Sequence, residues 1–207
     1  MSKFVGLEKL SLVDYDGKLA CTLFTESCNF KCPFCHNRNL AQPTNNIEIP
    51  FNDILSFLKE RVNKLEGVVI SGGEPTLMND LPQKIYEIKK LGFFVKLDTN
   101  GYKPEVLHYL IENKLVDYIA MDIKNSLEKY HLITGVKDIE INNILKSIKL
   151  IQESGIDYEF RTTLVKEFHT IEDIKNISKL LKGSKHNDKI SIAKSATVSI
   201  ITSPKSV

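Results

Sequence analysis

Apolar positions along this chain recur at two alternating spacings. Short β-rich runs at 18–25, 67–71, 93–98, 117–123 and 157–162 are separated by longer runs of helical period at 52–64, 81–90, 104–114, 140–153 and 171–181. The clearest helix carries Ile141, Ile144, Leu145, Ile148 and Ile151 on one face, a stripe that asks to be packed on a sheet. Strand and helix in regular alternation predict parallel strands joined by helical crossovers. Local punctuation agrees: Pro104 suits a first helical turn, Gly92 and Gly155 suit positions just past helix ends, and Thr170 can cap the last helix. The residues before 18 read as a polar lead-in without an element of their own.

The unusual residues gather at one end of these strands. A cysteine loop follows the first strand, Ser71-Gly-Gly-Glu-Pro75 ends the second, Asp98-Thr-Asn-Gly101 the third, Asp122-Ile-Lys124 the fourth and Arg161-Thr-Thr163 the fifth. Each motif alone has an ordinary reading, as a tight turn, an Asx turn or an exposed cation. Together they mark the C-terminal rim of a parallel sheet, where strand ends and following loops converge on ligands.

Composition narrows the class. With 207 residues and 42% hydrophobic content the chain can bury a substantial core, and one domain is expected. Lys and Arg total 28 against 26 acidic residues, so a net charge of +2 makes no electrostatic case for nucleic acid. No stretch approaches the roughly eighteen apolar residues of a membrane span, and the start has no signal-peptide core. A cytoplasmic protein with reduced thiols and no membrane partner is expected.

The cysteines then set the chemistry. Cys28-Asn-Phe-Lys-Cys32-Pro-Phe-Cys35 puts three thiols in one loop without a fourth. Structural zinc closes a tetrahedron with four protein ligands, and a cubane held by protein alone wants four thiolates. Zinc could recruit His36 or Cys21, but His36 follows Cys35 directly and Cys21 lies in an apolar run that reads as strand. Four cysteines in a chain of this length do not describe a disulfide scaffold. The open count suits a [4Fe-4S] cluster with Cys28, Cys32 and Cys35 as ligands and one iron left to bind a substrate.

At these residues the chain resembles the radical S-adenosylmethionine enzymes, whose signature is this cysteine spacing with an aromatic residue, here Phe34, before the last cysteine. The stretch Gly6 to Gly17, and Cys35-His-Asn37 after the cysteines, resemble the anaerobic ribonucleoside-triphosphate reductase activating proteins from about Leu7 to about Gly183. The resemblance implies a partial, open (β/α) barrel of five or six parallel strands over 1–193. It also implies an oxidoreductase that reductively cleaves S-adenosylmethionine and places a radical on a glycine of a partner enzyme. That partner would be the anaerobic ribonucleotide reductase, with a pyruvate formate-lyase-type enzyme as the alternative and a small-molecule synthase of the deazapurine type as another. A flavodoxin or ferredoxin-type protein would donate the electron.

By the same resemblance Gly72, Gly73 and Glu74 hold the methionine amino group, the two glycines letting a ligand approach the backbone. Phe34, Asn100, Lys124 and Arg161 line the cofactor, and Asp98 and Asp122 hold a monovalent cation with Thr99 nearby. Two departures stand out. Ser27 occupies the place before the first cysteine where relatives carry Gly, and 194–207 is a small-residue tail expected to be mobile, with 198–201 its only strand-like run.

Overall fold

A computed structural model describes residues 2–42, 45–182, 188–192 and 198–201. In chain order the elements are β1 (Phe4–Ser11), β2 (Ala20–Thr25), α1 (Arg38–Ala41), α2 (Phe51–Lys59), β3 (Gly67–Gly72), α3 (Leu81–Lys90), β4 (Phe94–Thr99) and α4 (Pro104–Glu112). They continue as β5 (Tyr118–Asp122), α5 (Tyr130–Thr134), α6 (Ile141–Glu153), β6 (Asp157–Leu164), α7 (Ile171–Leu180), β7 (Asp188–Ile192) and β8 (Val198–Ile201). All eight strands form one sheet in sequence order. From β2 to β7 every pairing is parallel, while β1 and β8 add antiparallel edges. With β1 and β8 on opposite edges the sheet curls without closing, which makes it a partial α/β barrel of the expected class.

The alternation of side chains across the strands sorts two environments. Cys21, Leu23, Val68, Ile70, Val95, Leu97, Ile119, Met121, Tyr158 and Phe160 are buried in one core with Ile54, Ile85, Leu107, Ile144 and Ile177 from the covering helices. The predicted stripe on α6 does bury Ile144, Ile148 and Ile151. Neighbouring positions face the lumen, where buried Thr22, Lys96 and Glu159 stand beside a small apolar cluster of Tyr15, Ala20 and Val69. Lys96 of β4 is nearly inaccessible, yet its ammonium donates to Glu159 Oε1 of β6 at 3.1 Å and to the Asp14 carbonyl at 2.7 Å. A buried lone charge would cost several kcal/mol, so this pair is what makes the position tenable.

One stretch departs from the sequence reading. The supposed lead-in is β1, which buries little beyond Phe4 and Ser11 and leaves Glu8, Lys9 and Leu10 exposed. Its stability comes from backbone pairing with β2, which hydrophobic patterning does not register. The loop that follows closes the lower end of the barrel: Tyr15 packs edge-on to Tyr118 at 5.7 Å and lies so close to Gly67 that a Cβ there would come within 2.8 Å of its ring. Of the tail at 194–207, the described residues are those of β8, paired with β7. The rest of that expectation lies outside the described residues.

Candidate functional site

The cysteine loop between β2 and α1 is fastened to the rim by backbone bonds. Ser27 N–H donates to Leu40 O at 2.7 Å, Cys28 N–H to Ala41 O at 3.0 Å, and Lys31 N–H to Thr134 O at 2.7 Å. The end of β3 locks onto the same loop. Gly73 N–H donates to Thr25 O, Glu74 N–H to Ser27 O, and the Asn37 carboxamide to Gly72 O at 3.1 Å. A Cβ on Gly73 would sit 2.1 Å from Ser27 O, and one on Gly72 2.4 Å from Thr25 N and O. The glycines therefore make room first for the protein's own backbone, with Gly72 also at φ +116°. Ser27 itself is held at φ +70°, in the left-handed region that glycine occupies without strain.

Glu74 is almost fully buried and its carboxylate is fully engaged by protein. Oε1 accepts from Thr76 N (3.1 Å), Thr76 Oγ1 (2.6 Å) and Thr99 Oγ1 (2.8 Å), and Oε2 from Asn100 N (2.7 Å). Burial pushes its carboxyl above the usual range against these donors. Glu74 thus ties the end of β3 to the end of β4, and what it presents outward is backbone rather than carboxylate.

The charged rim residues form one chain across β3, β4, β5 and β6. Asp98 accepts from Ser71 Oγ at 2.9 Å and lies 3.4 Å from the Arg161 guanidinium. Arg161 Nε donates to Asp122 Oδ1 at 2.9 Å, and Lys124 Nζ to Asp122 Oδ2 at 3.0 Å. Burial alone would raise the Asp122 carboxyl, but Arg161 and then Lys124 hold it down at about 2. Asp98 and Asp122 both pair with Arg161. Over the mouth, Phe34 packs against Phe168 at 5.6 Å and His169 at 6.0 Å. His169 Nδ1 lies 3.1 Å from Val165 N and 3.2 Å from Val165 O, and its Nε2 lies 2.9 Å from Lys124 O.

These groups line a single cleft of about 260 Å³ containing Cys28, Cys32, Phe34, Cys35, Gly72, Gly73, Glu74, Asp98, Asn100, Asp122, Lys124 and Arg161. The structure thus brings every sequence-predicted site residue to one place. It also adds His36, Asn37, Ser71 and Thr163, which the sequence reading quoted inside motifs without a role. His169 and Asn29 were missed altogether. No spacing announces His169, since it comes from the β6–α7 loop, and Asn29 is hidden among the cysteines.

A radical SAM superfamily profile matches residues 22–181, most of the chain. This chain belongs to the radical SAM superfamily. A Methanocaldococcus jannaschii protein assigned by name to the glycyl-radical enzyme activating enzymes is 41% identical over 184 residues, 86% of this chain and 74% of its own length. A Staphylococcus aureus pyruvate formate-lyase-activating enzyme is 30% identical over 155 residues, 69% of this chain and 61% of its own length. Among solved structures, TYW1 with a lysine-pyruvate adduct bound superposes with a TM-score of 0.63 at 19% identity, covering 84% of this chain and 65% of that one. Streptococcus suis SuiB bound to S-adenosylmethionine gives 0.63 at 20% identity, over 80% of this chain and 38% of that one. At such identity these two share the fold. The chain spans about two thirds or less of these solved relatives.

Radical SAM enzymes carry a [4Fe-4S] cluster and S-adenosylmethionine, and the residues here fit that pair. Cys28, Cys32 and Cys35 are free thiols on one cleft, whereas Cys21 is buried in the helix-covered core away from it. Among the described residues no three His, Cys, Asp or Glu side chains converge closely enough for one metal ion. Burial pushes the Cys28 thiol up to about 12, partly opposed by the Phe30 N–H on its sulfur, so iron would enter by replacing a proton. The Asn29 carboxamide nitrogen is buried without an acceptor, while its oxygen lies 3.9 Å from Cys28 Sγ. Among the described residues no helix is long and apolar enough to cross a membrane.

Proposed function

We propose that this chain activates a glycyl-radical enzyme, with Cys28, Cys32 and Cys35 holding the cluster and the cleft holding S-adenosylmethionine. The observation that carries the reading is the meeting of three free thiols, the Gly72-Gly73 backbone and the Asp98–Arg161–Asp122 chain in one cleft at the strand ends. When bound, the cluster supplies the electron that splits the sulfonium into methionine and a 5′-deoxyadenosyl radical. The protein's own contribution is placement and exclusion of water. The Gly72-Gly73 backbone receives the methionine amino group, Phe34 covers the cleft mouth, and Arg161 offers a planar fork to the carboxylate, with Lys124 beside it. Asn100 and Glu74 belong to the same wall.

A monovalent cation between Asp98 and Asp122 would have to draw the carboxylates away from Arg161, freeing that guanidinium for the cofactor. We assign the partner as anaerobic ribonucleotide reductase, on the resemblance of Gly6 to Gly17 and of Cys35-His-Asn37. The similarity to the S. aureus activating enzyme favours a second target, a pyruvate formate-lyase-type enzyme. A flavodoxin or ferredoxin-type protein serves as reductant, and the setting is anaerobic and cytoplasmic. The test is to incubate the reduced, cluster-loaded protein with each candidate partner and record the glycyl-radical doublet by electron paramagnetic resonance. A doublet on the reductase alone confirms the assignment, and one on the lyase alone moves it. Cofactor cleavage with neither doublet would reject activation in favour of a small-molecule substrate.

A further inference from the structure

The hydrogen bonds around Cys28 form a construction that cofactor binding does not explain. Asn100 receives a fixed orientation: its N–H donates to Glu74 Oε2 at 2.7 Å, and its Oδ1 accepts from Tyr102 N–H at 3.0 Å. Its Nδ2 is therefore the end turned toward the cysteine loop, where it donates to Asn29 Oδ1 at 2.8 Å and lies 3.8 Å from Cys28 Sγ. That in turn fixes Asn29. Asn29 Oδ1 accepts from Asn100 and lies 3.9 Å from Cys28 Sγ, while its own Nδ2 is buried and has no acceptor. A buried donor left unpaired costs about 1–3 kcal/mol, and such a group in a well-tied loop calls for a partner that arrives later. Phe30 N–H completes the set at 3.3 Å from the same sulfur.

We propose that Asn100 Nδ2, oriented by Asn29 Oδ1, forms with Phe30 N–H a hydrogen-bond bracket on the sulfur of the bound cluster at Cys28, and that Glu74 anchors this bracket instead of holding S-adenosylmethionine through its carboxylate. The proposal rests on the cluster assignment made above. N–H donors directed at cluster sulfur favour the reduced, more negative state, so the bracket raises the reduction potential of the cluster and eases its one-electron loading. Asn29 and Asn100 are positioning residues that act through Cys28. The pair draws together the loop after β2, the end of β3 through Glu74 and the end of β4. This accounts for three motifs far apart in sequence meeting at one sulfur.

The test is a redox titration of the anaerobically reconstituted protein without S-adenosylmethionine, followed by electron paramagnetic resonance, on the parent, Asn29→Ala, Asn100→Ala and the double variant. The bracket predicts parent-like iron content and a lower midpoint potential in each single variant. The double variant should shift by less than the sum, because the two amides act as a unit. Parent protein grown with asparagine carrying heavy nitrogen in its side-chain amide should show a hyperfine coupling to the reduced cluster that weakens in Asn100→Ala. Should Asn100→Ala fail to load iron, Asn29→Ala and the labelled parent still decide the matter. Unchanged potentials in fully loaded variants, or no amide coupling in the parent, would overturn the bracket while leaving the cluster assignment intact. Weakened S-adenosylmethionine binding at an unchanged potential would return Asn100 to the cofactor wall. A parent that binds no iron–sulfur cluster would instead overturn the site reading itself.

Discussion

At the scale of single residues, Ser27 carries the backbone strain of the cysteine loop. It stands at φ +70° directly before Cys28, and its carbonyl oxygen accepts from Glu74 N–H at 2.8 Å. An L-residue in that conformation costs about 1–2 kcal/mol, which glycine avoids. Ser27→Gly should therefore stabilise the protein by about 1 kcal/mol, and in a chain of this size raise Tm by about 2–4 °C. Calorimetry of the iron-free protein checks this, and an unchanged or lower Tm would show that the serine hydroxyl compensates elsewhere. The position illustrates what sequence alone can carry. That Ser27 replaces a glycine was legible; that the backbone there is left-handed was not, because the requirement comes from the β3 turn pressing on it. Lys96 makes the same point, since nothing near it in sequence announces the Glu159 carboxylate, two strands away, that pairs with it.

At the scale of elements, the strands β2 to β6 and the helices α2, α3, α4, α6 and α7 were legible because each buries a periodic face, and the cysteine, glycine and acidic motifs were correctly placed at strand ends; the short α1 and α5 were not foreseen. What was not legible depends on pairing between distant segments. β1 is a mostly exposed edge held by backbone bonds, and the contact of the β3 turn with the cysteine loop needs the register of two parallel strands. That contact changes what Gly73 is for. Since a Cβ there would meet Ser27 O at 2.1 Å, Gly73→Val should displace the cysteine loop, cost about 3 kcal/mol and lower iron loading together with cofactor binding. Iron assay and a denaturant melt read both. Full iron loading with weakened S-adenosylmethionine binding alone would mean that Gly73 serves ligand approach instead of loop packing.

At the scale of the whole molecule, the barrel combines a helix-covered apolar shell with a lumen that also buries polar side chains, and its buried ionisable groups give it a pH signature. Burial raises the Cys21 and Cys28 thiols from an ordinary 9 to about 12, and it raises Tyr15, Tyr118 and Tyr130 as well. The folded state thus favours the protonated thiols. Their contribution to stability is fully present below pH 9 and is lost as pH climbs from there toward about 12, when the unfolded chain ionises first. The iron-free protein should show a urea midpoint that falls steadily above pH 9, and Cys21→Ala should flatten part of that slope. A midpoint independent of pH in this window would contradict the burial of these thiols.

The account as a whole turns on the loop of three cysteines acting through a cluster, with Cys21 outside it. Its most direct measurement is the yield of 5′-deoxyadenosine when anaerobically reconstituted, reduced protein meets S-adenosylmethionine, run in parallel on the parent, Cys21→Ala and Cys32→Ala. The account predicts cleavage by the parent and by Cys21→Ala, and none by Cys32→Ala. Cleavage that survives Cys32→Ala but is lost in Cys21→Ala, or none from a fully iron-loaded parent, would contradict it.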